Sequence, residues 1–535
     1  MNPPILVVAY DIGTTSAKTC LFSLGTTLEL LETHVVGYPL LTTADGGAEQ
    51  RADDWWAAMC EGTREVLALS KTAPEQIVAI SFCCQMQALV LVDDTGTPVR
   101  NPMGYMDGRA AALFRKELTR GFLKIEGMNA RKLLSSLYIT GGAAATAKDP
   151  LWKYRWVKQE EPEAFSRAST WLDVRDYLAL RCTGNTAMTR DSAHLTFIYD
   201  TRPGKEGWSR TLCRMFEVDT AHLPKVQSGL ERAGTLTRKA ADGLGLKTGT
   251  KVFGGGGDIS LIPIGSGCTE RWDTHVYVGT SGWVVANADR RMVDLKNFLA
   301  SISGAMPGTY NYVGEQETSG LCLQWVRDHL ALDEIGVYLN GDDAPVSYDD
   351  DRLYDLMNRT VAEIPAGSGG VIFTPWLQGN RSPREDPCAR GMFFNIGLNT
   401  GKRALIRAVL EGIAFHKRWI LEAVERKIPK RKSLRLVGGG AKSAVLCQIM
   451  ADITGRRIEV PYDPQNVGAA GAAIICGLGL GVIPSTDIAG GFIRIGARYE
   501  PDPGNREVYD RMFRVFKGLY GRNKRFFRVL NQPSP

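Results

Sequence analysis

The sequence predicts an α/β protein made of two related halves. Two observations carry this. Strand-like and helix-like segments alternate along the chain, the pattern of α/β architecture. A strand–turn–strand signature built on Gly-Thr also occurs twice, at Gly13-Thr14 and Gly279-Thr280, 266 residues apart in a chain of 535. No Pro- or Ser-rich linker separates the halves, so the boundary is expected in a short connection, best placed at the Gly-rich 254–257. The expected organisation is 1–254, 255–504 and a terminal segment 505–535.

The elements follow in order. Ile5–Tyr10 is an apolar, β-branched run, and a tight turn leads into Thr19–Phe22, which reads as a hairpin. Trp55–Leu69 has a helical pattern, Val78–Phe82 and Ala88–Val92 read as strands, and Leu151–Val157 as a helix. In the second half, Val276–Val278 and Trp283–Ala286 flank Gly279–Gly282, Leu405–Val424 reads as a long helix and Leu434–Val437 as a strand. Val467–Ile483 carries no charge over 17 residues, but five are glycines. It falls short of the roughly 20 apolar residues of a membrane span, so a buried Gly/Ala-rich helix is expected.

Composition bounds the class. Apolar residues are 44% and charged residues 23%, which excludes a disordered chain, a fibrous repeat and a small disulfide scaffold. The net charge is +6, and 505–535, with eight basic and two acidic residues, accounts for all of it. A nucleic-acid contact through this tail is one reading. The other is a packed terminal helix, because Tyr509, Met512/Phe513, Phe516 and Tyr520 recur at helical spacing with Glu507/Arg511 and Asp510/Arg514 as i,i+4 pairs. The second reading is preferred, so neither a nucleic acid nor a membrane is an expected partner. Eleven cysteines, with no C-x-x-C, argue for buried reduced thiols such as Cys83 and Cys84. The N-terminus lacks a basic n-region, and a cytoplasmic location is expected.

Several motifs can carry chemistry. Gly13-Thr14-Thr15-Ser16 offers backbone amides and hydroxyls at a tight turn, where a phosphate can be cradled. Asp11, at the strand end, can hold Mg²⁺ directly or through water. A plain hairpin turn is the alternative, but the second turn, Gly279-Thr280-Ser281, suits a nucleotide lying in a cleft between domains. No P-loop and no G-x-G-x-x-G are present. Asp258, just after Gly254–Gly257, is placed to act as a general base or as a helix N-cap. Gly438–Ser443, after a strand, is either a surface for a ribose or adenine or a tight strand–helix turn.

Together these residues resemble the FGGY carbohydrate kinases of the actin, hexokinase and heat-shock chaperone superfamily. The resemblance runs nearly end to end: Tyr10–Lys18, Ala48-Glu49-Gln50, Gln85-Met86-Gln87, Tyr105–Arg109, Gly254–Asp258, Gly379–Pro383 through Gly391, Arg407–Gly412, Gly438–Lys442 and Asn466–Ala473. It implies two ribonuclease H-like domains around an ATP-binding cleft, and transfer of phosphate from ATP to a hydroxyl of a sugar or polyol. By matching positions, Asp11 would help bind Mg²⁺, with Thr14, Thr15 and Lys18 near the phosphates. Gly279 and Thr280 would form the second phosphate loop, and Gly439, Gly440 and Ala441 would lie by the adenosine. Asp258 would be the catalytic base, and Met86, Gln87, Asp107 and Asp258 would line the acceptor pocket.

Within the family the pattern is most similar to members acting on D-xylulose, so D-xylulose, giving D-xylulose 5-phosphate, is the expected acceptor. Two departures touch the pocket. The usual Met-His-Gly is Met86-Gln87-Ala88, and the Asn that usually follows the catalytic Asp is Ile259. Another pentulose, or a polyol of the ribulose, erythritol or glycerol type, is the alternative. A non-catalytic sugar or nucleotide sensor is more remote, since every carboxylate and turn of the motif set is present. Family members often dimerise, which makes a homodimer compatible with the resemblance.

Overall fold

The computed structural model describes residues 3–120, 122–125, 128–331 and 358–531. The first sheet opens with the antiparallel meander β1 (Ile5–Ile12), β2 (Ser16–Leu24) and β3 (Leu28–Gly37). It continues on the other side of β1 with β4 (Ile77–Cys84) and β5 (Lys251–Phe253), both parallel. The second sheet repeats this with β6 (Thr274–Val278), β7 (Gly282–Ala288), β8 (Tyr310–Gln316), β9 (Ser433–Val437) and β10 (Arg457–Pro461). Neighbour order is β3-β2-β1-β4-β5 in one and β8-β7-β6-β9-β10 in the other, with the same senses throughout. The two Gly-Thr turns are thus equivalent points of a duplicated α/β domain, the β1–β2 and β6–β7 connections.

The helices that position the site are α1 (Ala52–Ser70), α2 (Pro150–Glu160), α3 (Val174–Thr183), α4 (Asp258–Gly265), α5 (Gly320–Val326), α6 (Lys402–Val424), α7 (Ala444–Thr454), α8 (Val467–Gly479) and α9 (Arg506–Asn531). Helix α1 presents Trp55, Met59 and Val66, one face at 3.6-residue spacing, to the first sheet. The opposite face of that sheet is closed by α8, whose Ala469, Ala472, Ala473 and Ile474 pack with Val7, Ala9 and Phe22. The uncharged segment is therefore a core helix, and no helix among the described residues is long and apolar enough to cross a membrane.

Two expectations about organisation need correction. The chain stays in the first sheet beyond residue 254, because Gly256 and Gly257 pair in parallel with Cys83 and Cys84 of β4. A residue-254 boundary was suggested by glycine content, but bare backbone there serves pairing rather than a link. The pairing expected within 506–531 is the other, although the segment forms the packed terminal helix preferred above. Tyr509, Met512, Phe513 and Phe516 of α9 belong to the second core beside Phe415 and Trp376. Asp510 also pairs with Arg506 (2.8 Å) and with Arg418 of α6 (2.6 Å), not with Arg514. Packing on α6 turned the acidic side chain toward a neighbouring helix.

Helices α4 and α8 cross with almost no separation. A Cβ on Gly265 would lie 2.5 Å from Gly471 N and 2.8 Å from the Val467 carbonyl carbon, so only glycine fits. Backbone cannot rotate away as a side chain can. Gly265→Ala is expected to cost about 2–3 kcal/mol, read as a lowered midpoint of thermal or urea unfolding.

Candidate active site

The β1–β2 turn has its carbonyls fastened from behind. The Tyr38 hydroxyl lies 2.6 Å from Gly13 O, Gln50 Nε2 donates to Thr14 O (2.5 Å), and Tyr38 N–H donates to Thr15 O (2.9 Å). In a planar trans peptide the N–H points opposite to the carbonyl. The amides of Thr14 and Thr15 are therefore turned the other way, out of the turn. Lys18 Nζ reaches across to Gln465 O (2.7 Å), just before α8.

The β6–β7 turn repeats the device with different partners. Gly279 O accepts from Gly320 N–H (2.6 Å), and Thr280 O from Ser319 and Leu321 N–H (3.1 Å each), at the start of α5. The Thr280 and Ser281 amides consequently point away from α5. Beside this turn the 3₁₀ segment Gly439–Lys442 follows β9. Gly438 adopts φ +91°, and a Cβ there would sit 2.6 Å from Val278 O, whereas a Cβ on Gly439 would meet open space. Gly440 packs on Val278 and Ala441 is buried, so Gly439 supplies the bare surface next to the second turn.

The carboxylates come together at the ends of the first sheet's parallel strands. Asp11 is paired with Cys83, and Cys83 with Gly256, so β1, β4 and the 256–257 extension stand abreast. Adjacent strands are about 4.8 Å apart, which puts Gly256, two residues before Asp258, about 10 Å from Asp11. Asp258 is the first residue of α4, with Gly257 as its cap, which corrects the N-cap alternative. Its Oδ1 accepts from Ile259 N–H (2.8 Å). Burial pushes Asp258 up to about 7, and the nearby Asp11 and Glu315 charges push the same way. Burial also raises Asp11, opposed by Lys18.

The loop that aims Asp258 is tied down at Gly254, Gly255 and Gly257. Arg175 donates to Gly254 O (2.6 Å), Gly255 N–H to Gly229 O (2.9 Å), and Gly257 N–H to Asp191 Oδ2 (2.8 Å). Met86 lies directly against the bare Cα of Gly257, one residue from Asp258.

Gln87, expected in the acceptor pocket, has left-handed backbone (φ +64°). It is held by charged residues: its N–H donates to Asp173 (3.2 Å), its carbonyl accepts from Lys153 Nζ (2.7 Å), and its Nε2 faces Asp149 (3.4 Å). All three partners are buried. Desolvation holds Lys153 down to about 7 and pushes Asp149 and Asp173 up to about 6. Asp107 is fully buried, accepting from Ala48 N–H (2.9 Å) and from the Arg109 guanidinium (2.7 Å). It also bears on Lys153. From the second domain Arg381 is paired with Glu315, and the Asp149 charge also acts on it.

Sequence reasoning missed Asp149, Lys153, Asp173 and Glu315 as site residues, and quoted Arg381 only within a motif. One signal was available: Lys153 stands within the mostly apolar run Leu151–Val157 of α2.

The implied Mg²⁺ suits this donor set. Among the described residues no three His, Cys, Asp or Glu side chains gather as a metal-binding group. Mg²⁺ in phosphotransferases keeps waters and takes one or two carboxylates plus phosphate oxygens, which Asp11 beside two amide-lined turns can serve.

The comparisons with known proteins agree with this geometry. The model "FGGY family of carbohydrate kinases, N-terminal domain" matches residues 6–265, and the corresponding C-terminal domain matches 275–480. A xylulose kinase of Staphylococcus epidermidis is 27% identical over 521 residues, covering 97% of each chain. A gluconokinase of Bacillus subtilis is 26% identical over 521 residues, covering 96% of this chain and 95% of its own. The crystal structure of xylulose kinase from Rhodospirillum rubrum matches with a TM-score of 0.80 at 26% identity, over 98% of this chain and 100% of that one. With both family domains matched in order along one duplicated fold, the chain belongs to the FGGY family of carbohydrate kinases, which transfer phosphate from ATP to sugars.

Proposed function

We propose that the chain phosphorylates D-xylulose to D-xylulose 5-phosphate at the expense of ATP. The observation that carries the choice between a neutral ketose and a sugar acid is the charge around Gln87. Asp149 and Asp173 contact Gln87, and the Glu315 and Asp173 charges bear on Asp258, while Lys153 is engaged by Gln87 O and Arg381 by Glu315. A gluconate carboxylate would meet excess like charge, which costs affinity. Hydroxyls, by contrast, can donate to these carboxylates.

In this reading Asp258 takes the proton from the acceptor hydroxyl as that oxygen bonds to the γ-phosphorus and the bridge to ADP breaks. Little else is asked of the side chains beyond in-line positioning and charge neutralisation. The outward amides of Thr14, Thr15, Thr280 and Ser281 hold the phosphate oxygens, and Lys18 steadies the first turn. Gly439, Gly440 and Ala441 take the adenosine. Mg²⁺, when bound near Asp11, neutralises developing charge on the phosphates. Met86, Gln87 and Asp107 shape the acceptor pocket.

A second reading, another pentulose or a polyol, is favoured by Gln87 and Ile259, which change the hydrogen-bonding groups beside the acceptor. A coupled ADP-release assay across pentuloses, polyols, hexuloses and gluconate decides. D-Xylulose is expected to give the highest kcat/KM, and preference for gluconate would overturn the reading.

Gln87→Ala isolates the side chain, since Ala and Gln share the same left-handed strain. It is expected to raise the acceptor KM about tenfold, the worth of one hydrogen bond, with KM for ATP unchanged. Unaltered KM across a pentulose panel would remove Gln87 from the pocket.

A further inference from the structure

Behind the β6–β7 turn lies a group of polar atoms that the kinase reaction does not use. Lys417 of α6 is wholly buried, and its Nζ occupies the space a Cβ on Gly282 would fill. Gly282 is the residue that ends the second turn, and Gln316 stands directly opposite it in the β7–β8 ladder. Paired residues share a sheet face, so the Gln316 side chain lies on the Lys417 side. Ser319, whose Cβ lies 2.9 Å from that same point, completes the group from the start of α5. Lys417 Nζ, Gln316 Oε1 and Ser319 Oγ are all buried and have no hydrogen-bond partner among the described residues.

Among the described residues no carboxylate answers the amine. The titratable groups that bear on it are Cys322 of α5, His275 of β6 and His416 beside it on α6. Burial keeps the thiol protonated, up to about 12, and holds both imidazoles neutral, down to about 3. Burial drives Lys417 itself well down. A buried amine without a counter-ion is costly, and a Met or Leu of similar volume would pack there at no such cost. The position makes sense if the missing negative charge arrives with a ligand, and the nearest ligand surface is the turn whose carbonyls are pinned to Ser319, Gly320 and Leu321.

We propose that Lys417 is the internal counter-charge of the second phosphate turn: a positioning residue that supports Gly279–Gly282 as a neutral amine and takes up a proton when the nucleotide's phosphates dock on the other side. The proposal rests on reading Gly279–Ser281 as a phosphate turn. Each unit by which the phosphates carry the lysine's pKa above the working pH adds about tenfold to nucleotide affinity. Apolar replacement should therefore weaken nucleotide binding without touching the acceptor.

The test is calorimetry of Mg-ADP binding near neutral pH in two buffers of different ionisation enthalpy. It is done in the Asp258→Asn background so that Asp258 cannot supply the proton. The parent is expected to take up most of a proton, roughly 0.8 or more, as a five- to twentyfold gain requires. Lys417→Met should lose that uptake and bind ADP about five- to twentyfold more weakly, while its thermal stability is equal or higher. In the Asp258-intact enzyme the acceptor KM should be unchanged. Lys417→Gln, which keeps a polar head, serves if the methionine variant fails to fold. Unchanged uptake and affinity in the Lys417 variants would overturn the role. Gly279→Val separates the two layers. If it weakens ADP binding while the Lys417 variants do not, only the lysine's role falls; if it too binds normally, the phosphate-turn reading falls first and the proposal with it.

Discussion

Asp258→Asn is expected to lower kcat by about a hundred- to ten-thousandfold, the range a positioned general base supplies, while ATP binding survives. The amide keeps the size of the side chain but has no basic oxygen for the hydroxyl proton. Turnover within tenfold of the parent would remove Asp258 from the base role. The shift of Asp258 to about 7 also predicts the pH profile of kcat/KM. Activity should fall about tenfold per unit below pH 7 and level off above it, read from initial rates at subsaturating sugar.

The same shift has a consequence for stability, with a definite sign. The carboxyl titrates near 3.8 when unfolded and about 7 when folded, so the folded state binds the proton more tightly. Burying the charge destabilises the fold as pH rises from about 4 to 7, by up to about 4 kcal/mol in the ligand-free enzyme. Asp258→Asn removes that cost. The variant is expected to unfold at higher temperature than the parent at pH 8, with the difference vanishing toward pH 4. Loss of activity accompanied by gain of stability separates a catalytic role from a structural one.

Gly255→Ala is expected to do the opposite, damaging both stability and catalysis. Gly255 has φ +69°, where a side chain adds about 1 kcal/mol of strain. Its Cβ would overlap the Phe82 carbonyl of β4 and sit 3.0 Å from Phe82 N and from Ser81 Oγ. Relief requires moving a central strand or the loop, a further cost of about 2–3 kcal/mol. Either movement shifts Asp258, three residues on, and a displacement of about 1 Å at the reacting group costs on the order of a hundredfold in rate. Thermal unfolding and kcat should fall together. A variant with parental stability would show that the glycine is not required by packing.

Much of the fold was legible before any coordinates. The hairpins around Gly13 and Gly279, the long helix ending near Val424 and the strand at Leu434–Val437 each rest on local periodicity and turn chemistry, which do not depend on distant partners. The terminal helix was legible for the same reason: its apolar residues recur at 3.6 spacing, and Tyr509, Met512, Phe513 and Phe516 are indeed buried. The partner of Asp510 was not, because Arg418 is 92 residues away in sequence and near only after α6 and α9 pack.

The candidate site divides in the same way. By itself the sequence determined the duplicated α/β plan, the two glycine turns and Asp258 on its glycine loop, because these rest on residue types at fixed short spacing. Only the tertiary structure decided what surrounds them. Asp149 and Lys153 at the start of α2 meet Asp173 at the start of α3 around Gln87, Arg381 pairs with Glu315 under the influence of the Asp149 charge, and α8 crosses from the second half to close the first sheet. Burial decided the chemistry as well. The Asp258 carboxyl is pushed up to about 7 and the Lys417 amine driven well down because the packed fold removes water from around them, and desolvation is a property of the whole structure rather than of any short stretch of sequence.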